Sequence, residues 1–330
     1  MKKKTAVFTL CAMLLALCSS IHAQQPGKIF RIGFLDDSTA SNIAVRLDNF
    51  RQELSKLGWI EGKNIAIEYR FAEGKLERLP ELVAELVRHK VDLIMASGTP
   101  GVLAAKNATT AIPIVMTNAG DPVGAGLVAS LARPGGNVTG FSSLASELIT
   151  KRWEILKDAV PQLARVGVLQ SVTVAGGSTY LQLKELSAAA TALKLKLEEI
   201  EAQRDSKGLE SAFKTAKQKQ VGAIMTTTGN FFFAERKWIV ELAVKYHLPA
   251  IYPQDEFVEA GGLMSYGVDY DDLFRRSAHY VDKILKGAKP GDLPVQQATK
   301  FEFIINLKAA KQIGLTIPVR VLERANKVIK

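Results

Sequence analysis

From Lys28 onward, short runs rich in β-branched residues alternate with longer stretches in which apolar positions recur every three or four residues. The first pattern is that of buried strands and the second that of helices with one apolar face. Their regular alternation predicts βαβ units and a parallel sheet. Strands are expected at 30–35, 64–70, 92–96, 113–117 and 137–141, with helices over 42–57, 76–90 and 102–108. A helix over 148–160 opens a second set, with strands at 164–170, 195–200, 222–227, 249–253 and 263–266. A helix over 269–285, a loop at 289–294, a strand at 301–305, a helix from Leu307 and a final helix from Val319 close the chain. The expected fold class is α/β, with two doubly wound parallel-sheet lobes; no residue-level repeat relates them.

Ahead of this pattern stands a different one. Lys2, Lys3 and Lys4 precede an apolar run over 6–18 and a small, polar stretch over 19–23. That order predicts a cleaved secretory signal with its cut near Ala23, and so a periplasmic protein. A lipoprotein cut before Cys18 competes with this reading, but Leu17 fills a position that wants a small residue. A retained anchor needs about 20 apolar residues, more than the segment holds. Both cysteines, Cys11 and Cys18, lie inside the leader. Disulfides, thiolate catalysis and cysteine metal sites therefore drop out of consideration together. The formal charge is +10, three lysines of it in the leader and the rest spread along the chain, which argues against a nucleic-acid partner.

In open α/β sheets the ligand crevice lies beyond the carboxyl ends of the strands, where helix N-termini present free N–H groups. Two exits carry one device. Ser97-Gly98-Thr99-Pro100-Gly101 places Thr99 as an N-cap and Pro100 at the first helical position, and Asn118-Ala119-Gly120-Asp121-Pro122-Val123 repeats it with Asp121 and Pro122. Both helix starts favour an anion such as a carboxylate. The first strand leaves through Asp36-Asp37-Ser38-Thr39. The second lobe offers residues 171–179, Thr228-Gly229-Asn230-Phe231 and Gln254-Asp255-Glu256. One ring of Phe231-Phe232-Phe233 is available to stack on a ligand, and Tyr252 and Tyr266 end strands with a hydroxyl tip on an apolar body. The expected ligand shell is Asp37, Ser38, Ser97, Thr99, Pro100, Asn118, Asp121, Pro122, Thr228, Asn230, Phe231, Tyr252, Glu256 and Tyr266. Each of these is also readable as an ordinary cap or packing residue.

Catalytic constellations are thin. The sequence has no G-x-S-x-G elbow, H-E-x-x-H or Walker loop, and His89, His247 and His279 sit on helical runs where a structural role suffices. No cofactor or metal is expected.

The stretch Gly120-Asp121-Pro122-Val123 through Gly126-Leu127-Val128-Ala129-Ser130-Leu131-Ala132-Arg133-Pro134-Gly135-Gly136-Asn137-Val138-Thr139-Gly140 resembles the solute-binding proteins of ABC importers that include tryptophan- and tyrosine-binding members. Thr99-Pro100 ahead of Leu103-Ala104-Ala105-Lys106, Gly261-Gly262-Leu263-Met264-Ser265-Tyr266-Gly267, Lys286-Gly287-Ala288-Lys289-Pro290 and Ile305-Asn306-Leu307-Lys308-Ala309-Ala310 extend the likeness over nearly all of the chain after the leader. The resemblance implies a type I periplasmic binding fold, with a hinge of three crossovers expected near 141–144, 262–266 and 295–300. The implied lobes are 28–143 with 267–294, and 144–266 with 300–330. It also implies a monomer that does no chemistry, traps a small-molecule solute and delivers it to a membrane permease. For an amino-acid solute, the helix starts after Thr99 and Asp121 suit the carboxylate, and Asp36, Asp37 or Glu256 the amine. A sensory subunit on the same fold stays open as an alternative, as does, more remotely, a secreted hydrolase using Ser97 or Thr99.

Overall fold

The computed structural model describes residues 28–145, 147–171, 178–227 and 229–330, with the side chains of 178–183 and 230 outside that description. The expected leader, the exit residues 172–177, Thr228 and the side chain of Asn230 thus lie outside the described residues. The first five strands are β1 (Phe30–Asp36), β2 (Ile65–Phe71), β3 (Leu93–Ala96), β4 (Ile114–Ala119) and β5 (Val138–Ser142). The next five are β6 (Arg165–Ser171), β7 (Lys196–Ala202), β8 (Ala223–Thr226), β9 (Ala250–Tyr252) and β10 (Met264–Val268). Three more follow, β11 (Gln296–Gln297), β12 (Phe301–Asn306) and β13 (Lys327–Ile329).

They form two sheets, ordered β11-β5-β4-β3-β1-β2 and β13-β12-β10-β9-β8-β6-β7. Among the described residues every pairing of these strands is parallel except β10 with β12. Helices cover both faces of each sheet, which is why the central strands are buried along their length rather than on alternate residues. In β3, Leu93 and Met95 pack under helices Ala44–Lys56 and Tyr270–Leu285, while Ile94 and Ala96 pack under Leu79–Arg88 and Gly98–Ala108. In the second sheet Met225 faces helix Glu147–Ala159, and Ile224 faces Ser206–Gln218 and Arg236–Lys245.

The chain passes between the sheets three times. After β5 it enters helix Glu147–Ala159 of the second lobe, whose apolar face joins the core there. After β10 it enters helix Tyr270–Leu285, capped by the Asp269 side chain on the Asp272 N–H, which packs in the first lobe. Finally it leaves β11 for β12. Two close approaches shape these ends. A Cβ on Gly267 would sit 1.9 Å from the Pro253 carbonyl oxygen, and one on Gly140 (φ +128°) 2.1 Å from that of Met116.

Four local expectations are corrected. Helix Gly98–Ala108 starts one residue before Thr99, with Ser97 in the cap position, so Thr99 and Pro100 lie inside its first turn. No helix follows Asp121; residues 122–126 make a turn. Gly124 and Gly126 (φ +68°) fall within it, and two glycines in four residues withdraw helix propensity. The helix at Val319 ends at Leu322, and the chain then adds strand β13, which like β11 was too short to register as a pattern. Helix Leu79–Arg88 is preceded by a separate 3₁₀ turn, Leu76–Arg78, where one continuous helix was expected.

Candidate functional site

Strand order locates the crevice. In each sheet successive strands add first to one side and then to the other of the opening strand, β1 in the first and β6 in the second. Ligands of such sheets bind at the carboxyl ends beside that switch point. In the first lobe this brings together the exits of β1, β3, β4 and β5.

These exits are tied into one polar floor. Asn118 Oδ1 accepts hydrogen bonds from Ser97 Oγ (3.1 Å), the Gly98 N–H (2.7 Å) and Thr117 Oγ1 (2.7 Å). Thr99 Oγ1 accepts from the Gly120 N–H at 3.2 Å, and Ser142 Oγ donates to the Gly120 carbonyl at 3.2 Å. Expected site residues Ser97, Thr99 and Asn118 thus converge, with Thr99 bonding across to the next exit instead of capping its own helix. Asp121 Oδ1 accepts from the Gly124 N–H at 2.8 Å and closes its turn, and Pro122 is buried beneath it.

The β1 exit is acidic and buried. Asp36 and Asp37 are buried, and Asp36 Oδ1 accepts from both the N–H (2.7 Å) and the Oγ (2.5 Å) of Ser38. Asp36 Oδ2 is buried with no hydrogen-bond partner among the described residues. Burial, reinforced by the Asp36 charge, pushes the Asp37 carboxyl from the ordinary 3.8 up to about 8, against the pull of Arg204. Asp37 therefore holds a proton in the folded protein that it releases in the unfolded chain. Its contribution to stability is full below the unfolded pKa and is lost as pH rises through about 8. Thermal midpoints of the wild-type protein are expected to fall over that interval, and Asp37→Asn to flatten the slope. Superimposable profiles of the two proteins would show that Asp37 titrates normally.

The second lobe answers across the gap. Arg46, on the first-lobe helix Ala44–Lys56, forms an ion pair with Glu256 of the second lobe, and its guanidinium lies over the rings of Phe233 (5.2 Å) and Tyr270 (4.8 Å). Arg204 Nη2 donates to the Gly74 carbonyl at 2.6 Å, again from second lobe to first, and its guanidinium lies 5.3 Å over Phe231. Beside the Arg46–Glu256 pair is a cavity of ≈460 Å³ lined by both lobes, including Asn42, Phe233, Asp255, Asp271 and Glu302. Burial and the Glu256 charge raise Asp255 to about 6, and burial raises Asp271 and Glu302.

The remaining expected residues divide between the second-lobe core and the boundary of the lobes. Tyr252 is wholly buried in the second-lobe core, stacked on Phe257 at 4.6 Å, its hydroxyl without a partner among the described residues. Its apolar body was legible as a strand end; its enclosure by Phe257 was not. Phe231, Phe232 and Phe233 are all buried in helix Asn230–Ala234. Tyr266 is partly buried where the lobes meet, touching both cores. Two arginines went unnoticed, Arg46 and Arg152, and a signal for both existed. Each is a charged residue on the apolar face of its helix, Arg46 four before Phe50 and Arg152 four after Leu148 and four before Leu156.

Comparison with known proteins places the chain among substrate-binding proteins. A family model described as ABC transporter substrate binding protein matches residues 42–329. A tyrosine-binding protein of Clostridioides difficile (strain R20291) is 31% identical over 269 residues, 81% of this chain and 75% of that protein. The structure of an ABC domain from Streptococcus pneumoniae in complex with L-Trp aligns with a TM-score of 0.81 at 28% identity, covering 92% of this chain and all 100% of the other. A ligand-free, open substrate-binding protein with adhesive properties from Clostridium difficile aligns with a TM-score of 0.67 at 27% identity, covering 92% and 99%.

Proposed function

The chain belongs to the ABC transporter substrate-binding protein family, and from that membership we propose that it is the extracytoplasmic receptor of an importer, capturing a small organic solute between its lobes for a membrane permease. The family and its relatives are substrate-binding proteins and not enzymes, and the fold is the two-lobed one of type I periplasmic binding proteins. The observation that carries the reading is the pair of facing strand exits, polar and buried on the first lobe, joined across the gap by Arg46–Glu256 and Arg204–Gly74. The higher similarity to a tryptophan-bound structure than to an open, ligand-free one supports taking these contacts as those of a closed form. A solute that touches both lobes favours that form, and closure is the signal the permease reads.

The solute class we propose is an amino acid with an aromatic side chain. The named ligands of the relatives point that way, and Phe231 and Phe233 at the second-lobe exit, beside arginines, suit a flat apolar group. The test is a thermal-shift screen of the purified protein, unfolded and refolded to strip carried-over solute, against amino acids, aromatic acids, short peptides and sugars. A ligand at a hundred times its dissociation constant adds about 2.7 kcal/mol, a rise of several degrees. L-tyrosine or L-tryptophan is expected to give the shift and to be recovered unchanged. A sugar as the sole hit would overturn the amino-acid assignment, and consumption of the solute would overturn the receptor reading.

A further inference from the structure

Arg152 is a buried cation with no ion-pair partner among the described residues. It sits on helix Glu147–Ala159, the first element of the second lobe after the β5 crossing, and only 3% of it is exposed. Its Nε donates to the Tyr266 carbonyl at 2.7 Å, on the strand that leads back to the first lobe. Among the described residues no carboxylate lies within ion-pair distance of its guanidinium, although the same criterion finds a partner for the equally buried Arg46. Burial lowers its pKa to about 10, against the pull of the Tyr270 and Tyr266 hydroxyls. The charges of Arg152 and Arg46 both act on Tyr270, at the start of the helix that returns to the first lobe. Arg152 therefore lies where the two lobes and their crossovers meet. Its guanidinium thus faces Tyr266 and Tyr270, on the strand and the helix that carry the chain back to the first lobe.

Burying a guanidinium without a counter-charge is costly, and one backbone carbonyl does not repay it. In a receptor the missing partner is supplied by what it binds. We infer that Arg152 anchors a carboxylate of the solute at the junction of the lobes and so selects anionic or zwitterionic solutes over neutral ones. This rests on the receptor reading and replaces the helix starts as the carboxylate site. It also gives a role to Asp36 Oδ2, buried without a partner among the described residues: with Arg152 holding the acid end, a carboxylate in the β1 exit meets an ammonium, and the two charges of an amino acid are matched from opposite lobes.

The test compares an acid with its amide. Calorimetric titration of the refolded protein with L-tyrosine and L-tyrosinamide, and with L-tryptophan and its amide, is expected to show the acid bound about 10- to 100-fold more tightly. In Arg152→Gln, which keeps a donor for the Tyr266 carbonyl, that ratio is expected to fall to near one. The ligand-free Arg152→Gln protein should melt no lower than wild type, because the uncompensated charge is gone. Arg152→Lys should keep part of the preference. An undiminished acid-to-amide ratio in Arg152→Gln, above all with a lowered ligand-free melting point, would make Arg152 a structural tie to Tyr266 and overturn the inference. A neutral sugar as the best ligand overturns it too while leaving the receptor standing, whereas a folded protein that binds nothing in the screen removes both.

Discussion

Truncating Trp153 to alanine is expected to destabilise the protein by about 3–5 kcal/mol, against a total stability of about 5–15 kcal/mol for a folded protein. Trp153 is wholly buried on helix Glu147–Ala159, where the chain first crosses to the second lobe, and it packs into the core with Ile149, Leu156, Met225 and Ile305. Its ring nitrogen has no hydrogen-bond partner among the described residues. The indole thus contributes volume and apolar surface, and its N–H is a small liability. Trp153→Phe, which keeps a ring and removes that donor, is expected to lose much less, about 1–2 kcal/mol. Urea unfolding followed by circular dichroism separates the two. The helix that Trp153 seats also carries Arg152, so Trp153→Ala should weaken solute binding beyond its effect on the folded fraction, and Trp153→Phe should not. Equal losses for the two variants would mean that ring volume is not what holds this helix.

Most of the frame was legible because a doubly wound sheet writes itself plainly into a sequence. A strand covered on both faces has no polar residues to blur its limits, so β3, from Leu93 to Ala96, lies inside the apolar run that announced it. The failures are of two physical kinds. Local signals overreach where the following residues decide. Asp121-Pro122 is a good helix opening, but Gly124 and Gly126 come next and the chain makes a single turn. At Ser97-Gly98-Thr99 the helix begins at Gly98 with Ser97 as its cap, so Thr99 falls inside the first turn and its hydroxyl accepts from the Gly120 N–H. The second kind is a property that exists only after folding. Asp36 and Asp37 were legible as a polar exit, but not that both would be desolvated or that Asp37 would retain its proton. Whether a charge finds a partner is likewise set by tertiary neighbours, as Arg46 with Glu256, 210 residues away, and Arg152 with no carboxylate among the described residues show in opposite senses.

The Arg46–Glu256 pair leads to the second large effect. Replacing Glu256 with glutamine is expected to lower solute affinity about 10- to 100-fold with little change in the melting point of the ligand-free protein. The Arg46 side chain is 9% exposed and that of Glu256 24%, but Glu256 Oε2 is itself buried with no hydrogen-bond partner among the described residues, so the pair is largely desolvated. Removing one partner of a fully buried pair costs about 3–5 kcal/mol. The oxygen that glutamine still offers Arg46 reduces this to about 1.5–3 kcal/mol, the range of a hydrogen bond to a charged group. Because Arg46 and Glu256 belong to different lobes, the loss falls on the closed form and leaves each core intact, so it is read as a shift in the closing equilibrium. Small-angle scattering at a fixed tyrosine concentration should find Glu256→Gln more extended than wild type. The double variant Arg46→Met with Glu256→Gln sharpens the test, since removing both charges relieves the stranded guanidinium and should recover part of the affinity. If Glu256→Gln closed and bound as wild type does, the pair would be an incidental contact and Phe231, Phe233 and Arg204 would have to carry closure on the second-lobe side.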